Sequence, residues 1–336
     1  MDINDDPLAP LMSSIDPART PSGADLTPPQ RALLERIKTG DDHVSPNRIG
    51  GRKWWGAGVA SAVIAACVVM AFVIVPNLFS PSRATAMTPP PLEYSPLSQT
   101  AEQVLDMAIT RLSGSAGLDS PRRSADYTGW YLQVDNLPTG DTRVAISPQV
   151  TNLTWWEDRS GQLTVVTGEP YWADEAMGTV PASAAPPPGE VLTDVTFAAG
   201  EFDVPNAELP GPSSAELFNY LTDIGLAPDA DAFTLIETYK RLLTLWTLTN
   251  DQHAALLGMI LKRNDVEILG GTTDRLGRDV VGVAAEAAAG SGLQATLLIS
   301  STTGRIVGIE TNRLTPLDGV PAGSVVSYTV WKDSIE

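Results

Sequence analysis

Histidine and cysteine, the side chains that most often serve as bases, nucleophiles or metal ligands, occur only three times in these 336 residues. They are His43, His253 and Cys67. A structural zinc site takes four such ligands, and a catalytic triad needs a histidine beside its nucleophile and its acid. A single cysteine also excludes a disulfide within the chain. We therefore predict that this protein has no catalytic residues, no cofactor and no metal site.

Carboxylates are the abundant reactive groups, with 40 Asp and Glu against 22 Lys and Arg. The pairs Glu157-Asp158 and Asp174-Glu175 could act as acid and base only if both side chains reached one cleft. Adjacent residues of a strand point to opposite faces, so adjacency does not support this. We interpret both pairs as exposed acids on a solvated surface. His253, in the first turn of a predicted helix, is interpreted as a partly exposed structural residue.

Two short motifs match a functional pattern but lie in the wrong context. Gly290-Ser291-Gly292 with Ala295 has the letters of a dinucleotide-binding fingerprint, which should follow a strand and open a helix. Here it precedes a predicted strand, so we interpret it as a hairpin turn. Asn152-Leu153-Thr154 fits a glycosylation sequon, but it lies in a strand-like run and we regard it as a coincidence.

Residues 56–75 form a run of twenty positions without a charge. A helix of that length is about 30 Å long, which matches the hydrocarbon core of a bilayer. We predict one transmembrane helix over residues 54–76. Cleavage of a signal peptide after Ala86 is the alternative. The apolar core is longer than the roughly 7–15 residues of a signal peptide, and more than fifty residues precede it, so an uncleaved anchor is favoured.

The flanks of this run predict its orientation. Arg52 and Lys53 precede it, and positive charge accumulates on the cytoplasmic side of a membrane, so the N-terminus is predicted to be cytoplasmic. Trp54 and Trp55 suit the inner membrane interface. Within the run, small residues recur at four-residue spacing at Gly58, Ala62 and Ala66. Such a stripe allows two helices to pack closely, although small residues are common in membrane spans anyway.

Charge differs between the two sides of the predicted anchor. Residues 1–53 carry a net charge of −1, whereas the residues after the anchor carry −17. An acidic surface repels nucleic acid and anionic lipid head groups at long range. We therefore expect no nucleic-acid partner.

Four segments follow from composition and hydrophobic periodicity. Residues 1–53 are predicted to be cytoplasmic and mostly disordered, with a short amphipathic helix over 30–39. Its apolar face, formed by Leu33, Leu34 and Ile37, could dock on a cytoplasmic partner. A Pro-rich stalk is predicted over 77–98, and an extracytoplasmic domain over 99–336.

The exterior domain reads as strands, then three helices, then strands, after one initial helix. This order is typical of an α+β domain rather than of alternating βαβ units. We predict a curved antiparallel sheet with helices packed against one face. Capping-box spacings at Thr100 and Ser213 predict two helix starts, and Asp229 is predicted to start a third helix.

Tryptophans in the predicted strands suggest either a core or a ligand site. Trp155 and Trp156 must face opposite sides of their strand, so one of them is expected in the core. Trp130 and the other could line an open face of the sheet where an apolar ligand binds. Core packing is the simpler interpretation.

Several segments carry a resemblance to a known family. They are SSIDPART, RALLERI, ATAMTPPPLEYSP, GWYLQV and LLGMILKRNDVEILGGTTDRLGRDVVGVA. With the layout of stub, span and stalk, they resemble a family of actinobacterial single-pass membrane proteins that are often encoded beside extracytoplasmic-function sigma factors. The final strands are also similar to the closing half of lipoprotein-carrier (LolA-like) domains, whose curved sheet wraps helices and can hold acyl chains.

These features lead to two expectations about function. The first is a membrane-anchored extracytoplasmic sensor or binding protein that regulates a sigma factor through its cytoplasmic stub. The second is a membrane-tethered lipid or lipoprotein-binding module without a signalling role. An enzyme is not expected.

Overall fold

A large sheet dominates the computed structural model, which describes residues 88–132, 134–136, 142–144, 147–169, 187–288, 290–317 and 320–332. Within these ranges the helices are α1 (Ala101–Gly114), α2 (Ser214–Asp223), α3 (Ala232–Leu243) and α4 (Asn250–Leu261). The strands are β1 (Ser124–Tyr131), β2 (Val134–Asn136), β3 (Thr142–Val144), β4 (Gln149–Trp155), β5 (Gly161–Thr167), β6 (Val191–Phe197), β7 (Glu267–Thr273), β8 (Asp279–Glu286), β9 (Leu293–Ser300), β10 (Ile306–Arg313) and β11 (Val325–Trp331).

Nine of these strands form one antiparallel sheet in the order β6-β5-β4-β1-β11-β10-β9-β8-β7. Strands β2 and β3 pair with each other in a separate hairpin. Every junction of the large sheet joins neighbours in sequence except β4–β1 and β1–β11. The predicted α+β class with an antiparallel sheet is confirmed.

The two faces of the sheet differ in what covers them. Alternate residues of a strand point to opposite faces. On β9, Leu297 and Ile299 belong to the main core with the four helices, whereas Leu298 belongs to a second apolar cluster on the other side. We call these sides the helix face and the outer face.

Side-chain caps explain where the helices begin. The hydroxyl of Thr100 accepts a hydrogen bond from the backbone of Gln103, and Ser213 does the same for Glu216, as the capping boxes predict. The predicted start of α3 at Asp229 is wrong by two residues. Asp231 is the cap, because its carboxylate accepts a hydrogen bond from Thr234 N at 2.8 Å.

Turn residues agree with the sequence in one place and interrupt a predicted strand in another. Gly290 and Gly292 adopt positive φ between β8 and β9, which confirms that the fingerprint-like motif is a hairpin turn. The β-branched and aromatic residues from Thr142 to Asp158 predict a single strand, but the run contains both β3 and β4. Pro148 lies directly before β4, and proline has no N–H to donate to a sheet.

The predicted membrane anchor lies outside the described residues. So do its interface residues, its small-residue stripe and the candidate cytoplasmic docking helix over 30–39. In the part of the chain that the structure does describe, no helix combines the length and apolar composition needed to cross a bilayer.

Candidate functional site

Residues 88–97, the end of the predicted stalk, lie against the sheet, and we call this segment the strap. Ser95 forms an isolated antiparallel bridge with Gly271 of the outermost strand β7. Ser95 N donates to Gly271 O at 2.8 Å, and Gly271 N donates to Ser95 O at 2.9 Å. The strap, which is part of the predicted stalk, is therefore joined to the folded domain by main-chain hydrogen bonds.

Two glycines in the sheet make room for the strap. A Cβ at Gly282 of β8 would collide with the ring of Tyr94, and one at Gly270 of β7 would collide with the carbonyl of Ser95. Gly270 also has a φ of 127°, which residues with a side chain rarely adopt. Only glycine at these two positions allows so close an approach.

Apolar side chains hold the strap on the outer face of the sheet. Leu92 and Tyr94 pack on a small cluster made by Val280, Leu298 and Val307, each of which is at most 2% exposed. These three residues come from β8, β9 and β10. The strap thus spans three neighbouring strands, and removing it would expose their apolar side chains to water.

A buried ion pair lies under the strap. Arg275 donates through both Nε and Nη2 to Glu310 Oε2, at 2.9 and 2.6 Å. The two side chains are 4% and 1% exposed. Burial raises the pKa of Glu310 above its ordinary value, and the charge of Arg275 opposes that rise. Removing two charges from water is costly unless they are paired, so each depends on the other.

Arg275 connects this ion pair to the strap and to an aromatic stack. Its Nη2 donates to the carbonyl of Pro90 at 3.0 Å. Its guanidinium lies 4.5 Å from the ring centroid of Tyr328, which stacks on Trp130 at 6.3 Å. Burial, followed by the charge of Glu310, raises the pKa of Tyr94. The phenol therefore stays neutral at physiological pH.

A recess of about 500 Å³, open to solvent, lies between the strap and the β7–β8 hairpin. This volume falls in the range of small-ligand sites, which span roughly 300–1,000 Å³. Its lining combines strap residues 90–93 and 95 with hairpin residues 271–275. Asp274 and Arg275 are already engaged with Arg278 and Glu310, so Glu93 is the exposed carboxylate of the lining. The lining of the recess presents hydroxyl, main-chain and carboxylate groups to solvent.

The three tryptophans proposed as a ligand lining do not meet. Trp130 is buried on the outer face, where it stacks on Tyr328. Trp155 is buried on the helix face and donates to the carbonyl of Leu245 at 2.9 Å. Trp156 is 49% exposed, so the expectation that one of Trp155 and Trp156 is in the core is confirmed.

A recess on the helix face is too small for an acyl chain. It lies between residues 243–248 and β10–β11, and it has a volume of about 40 Å³. That is room for about one water molecule. Trp155 and Trp246 fill the neighbouring core, with ring centroids 4.9 Å apart.

His253 lines this small recess, and the expectation that it is partly exposed is wrong. The residue is 5% exposed, because its side of α4 packs on the sheet. Its Nδ1 accepts a hydrogen bond from Ile306 N at 3.3 Å. Burial, together with the nearby charge of Arg305, lowers the pKa of His253 to about 3. The imidazole is therefore a neutral structural acceptor.

The remaining candidate groups behave as surface residues where the structure describes them. Glu157 and Asp158 are exposed, as expected, whereas Asp174 and Glu175 lie outside the described residues. Among the described His, Cys, Asp and Glu, no group of three is arranged to hold a metal ion.

The main residues of the outer face, namely Tyr94, Arg275 and Glu310, are not predicted from the sequence. The signal that could have found the contact is the Gly270-Gly271 pair, which lies in β7, because a glycine within a strand often marks close approach of another backbone.

Comparison with protein-family models gives no match, and comparison with curated proteins gives none either. Among solved structures, the chain is similar to MucB in complex with MucA(peri), at 10% identity and a TM-score of 0.25. That match covers 69% of this chain and 53% of the other. A MucA/MucB complex from Pseudomonas aeruginosa matches at 12% identity and 0.25, over 69% and 55%. The chain thus spans about half the length of these first two structures.

A putative outer-membrane lipoprotein-sorting protein domain from Vibrio parahaemolyticus also matches, at 11% identity and a TM-score of 0.20. The match covers 69% of this chain and 92% of that domain. At these scores and identities we infer neither partner nor ligand from the likenesses.

Proposed function

We propose that this protein is a single-pass membrane-anchored extracytoplasmic sensor, in which the strap connects the binding domain to the membrane. The docking of the strap on the outer face of the sheet carries this proposal. A segment that served only as a spacer would not need Gly270 and Gly282 to leave room for it, nor the buried Arg275–Glu310 ion pair beneath it. We infer that the strap has a docked state, which the structure contains, and a released state, and that a ligand favouring one of them would shift the balance.

Few residues separate the strap from the predicted anchor. Twelve residues lie between Val75, the end of the apolar run, and Thr88, the start of the strap. Fully extended, they span at most about 40 Å. Release of the strap would lengthen this connection, and that change is the signal that reaches the anchor. The 500 Å³ recess beside the strap is the proposed ligand site, because a ligand there contacts strap and hairpin together.

The cytoplasmic output is proposed to be a sigma factor bound by the face of Leu33, Leu34 and Ile37. The layout of stub, span and strap, together with the sequence resemblance described above, supports this partner. The stub has no His/Cys zinc motif, so the proposed contact is an amphipathic helix in a groove. No catalytic role belongs to the proposal.

Affinity purification of the full chain from its own membranes tests the regulatory part. We expect a sigma factor to be retained by the wild type and lost from the variant Leu34→Asp with Ile37→Asp, whose docking face is charged. A Tyr94→Ala variant, which loosens the strap, should change the retained amount several-fold. Purification without any sigma factor would contradict the cytoplasmic output.

The alternative, a tethered lipid or lipoprotein-binding module, makes a different prediction. An acyl chain needs a long apolar cavity, and the 40 Å³ recess on the helix face does not favour one there. Native mass spectrometry of the full chain, released from micelles, would separate the two functions. A lipid that stays bound after the detergent is stripped would favour the carrier.

A further inference from the structure

The two edge strands of the large sheet, β7 and β6, differ in their hydrogen bonding to other segments. At one edge, β7 receives the strap through the paired hydrogen bonds between Ser95 and Gly271. At the other edge, β6 pairs with β5 on its inner side. In the described part of the chain, no other segment donates a backbone hydrogen bond to residues 191–197 or accepts one from them. An open edge of this kind is a template for another strand.

The side chains of β6 are unusually apolar for an open edge. Val191 is 59% exposed, Leu192 is 44% exposed and Val195 is 38% exposed. Edge strands usually carry lysine or proline, which discourage pairing. β6 carries neither. A register shift near Val191 makes pairing with another strand less favourable only at the start of β6.

The hydrogen bonds of β5 show which groups of β6 point outward. Thr167 N donates to Glu190 O, on the β6 side, whereas Ser160 O accepts from Trp156 N, on the β4 side. Backbone groups of an antiparallel strand alternate in direction. Odd-numbered residues of β5 therefore bond to β6, where their partners include Thr193 and Val195. The N–H and C=O groups of Asp194 and Thr196, which lie between those partners, point to the open edge.

The sequence around this edge has an extreme charge. From Ser160 to Tyr239 it contains thirteen Asp and Glu but neither Lys, Arg nor His. Glu190, Asp194 and Glu201 are exposed on β6 or beside it. A second copy of the chain would bring the same acids to the same edge, and like charges on paired strands repel. The charge of this edge therefore disfavours an acidic partner strand and favours a basic one.

We propose that β6 binds an extended polypeptide segment in which lysine or arginine alternates with apolar residues, and that this segment becomes a tenth strand of the sheet. Main-chain hydrogen bonds to Asp194 and Thr196 provide affinity, and the carboxylates select the charge of the partner. The proposal is independent of the strap, because β6 and β7 are opposite edges of the sheet.

A synthetic peptide of alternating lysine and valine is the probe, with a glutamate–valine peptide of equal length as its counterpart. Binding to the full chain in uncharged detergent is measured by fluorescence anisotropy. We expect the basic peptide to bind at least tenfold more tightly than the acidic one. Equal binding of the two peptides would overturn the proposal.

Variants of Thr196 separate strand addition from general attraction between charges. Thr196→Pro removes the outward N–H and should weaken binding of the basic peptide at least tenfold, whereas Thr196→Val keeps that donor and should bind as the wild type does. Undiminished binding by a folded Thr196→Pro protein would overturn the proposal, and circular dichroism checks the fold.

Asp194→Lys provides a second route that leaves the backbone intact. It should weaken binding of the basic peptide and strengthen binding of the acidic one. No change in the preference between the two peptides would contradict a partner selected at β6. Sedimentation equilibrium tests the other occupant, since a dimer that Thr196→Pro dissolves would show that the edge pairs with a second copy instead.

Discussion

The ring of Tyr94 lies against Gly282, although 187 residues separate the two along the chain. Through this contact Tyr94, which lies in the strap that follows the predicted anchor, packs against strand β8. The space left by the absent side chain is occupied by an aromatic ring from the strap, so the two residues should be energetically coupled.

A double-mutant cycle measures that coupling. Gly282→Ala should destabilise the protein by displacing Tyr94, and the cost should shrink in a Tyr94→Ala background, with a coupling energy of roughly 0.5–3 kcal/mol. Urea unfolding of the full chain, followed by circular dichroism, gives the free energies. Gly271→Ala is the control, because a Cβ there meets only Leu97, at 3.9 Å. Additive effects of Gly282→Ala and Tyr94→Ala would contradict the packing described.

Removing one partner of the Arg275–Glu310 pair should destabilise the protein more than removing both. Glu310→Met leaves a buried guanidinium without its carboxylate and should cost roughly 3–5 kcal/mol of unfolding free energy. The double variant Arg275→Met with Glu310→Met restores an apolar interior and should recover most of that loss. If the double variant lost as much unfolding free energy as the two single variants together, the two residues would not be coupled.

Trp155, the last residue of β4, and Trp156, which directly follows it, form a matched pair of a buried and a half-exposed tryptophan. Trp155→Ala should destabilise the protein by roughly 3–5 kcal/mol, since it removes a fully buried side chain. Trp156→Ala should change the free energy of unfolding by no more than about 0.5 kcal/mol. Chemical denaturation measures both. Similar losses from the two variants would be inconsistent with their different burial.

His253 should make the protein sensitive to acid. Its pKa in the folded state is about 3, below the ordinary value of 6.5, so the folded state binds fewer protons than the unfolded state. Its stabilising contribution is present above about pH 6.5 and is lost as the pH falls toward 3, by up to about 1.4 kcal/mol per pH unit. His253→Gln should flatten the slope of unfolding free energy against pH between 6.5 and 4.5. An unchanged slope would assign the acid sensitivity to other groups.

Local signals predicted the helices well, because a capping box needs residues only three positions apart. Thr100 and Ser213 were identified in this way, and the error at Asp229 arose where two aspartates two residues apart compete for the same role. Hairpin glycines such as Gly290 are likewise local. The α+β class followed from the order of such elements.

The outer face could not be predicted, because its contacts join distant parts of the chain. Three prolines in a row indicated a spacer, and nothing near them in sequence shows that Tyr94 fits a space at Gly282. The same limit applies to His253. Its helical position was predicted, but its burial depends on β10, more than fifty residues later.

The central position of β11 has a consequence for how the protein is made. Among the described strands β11 comes last in sequence, yet it lies between β1 and β10 and joins the two halves of the sheet. A growing chain that has not yet reached Val325 presents both of those strands with a bare edge. Contacts between residues as far apart as Tyr127 and Trp331 form slowly, since a loop of some two hundred residues must close first. A partly folded chain in which β11 has not yet paired therefore exposes two bare strand edges and is vulnerable to aggregation.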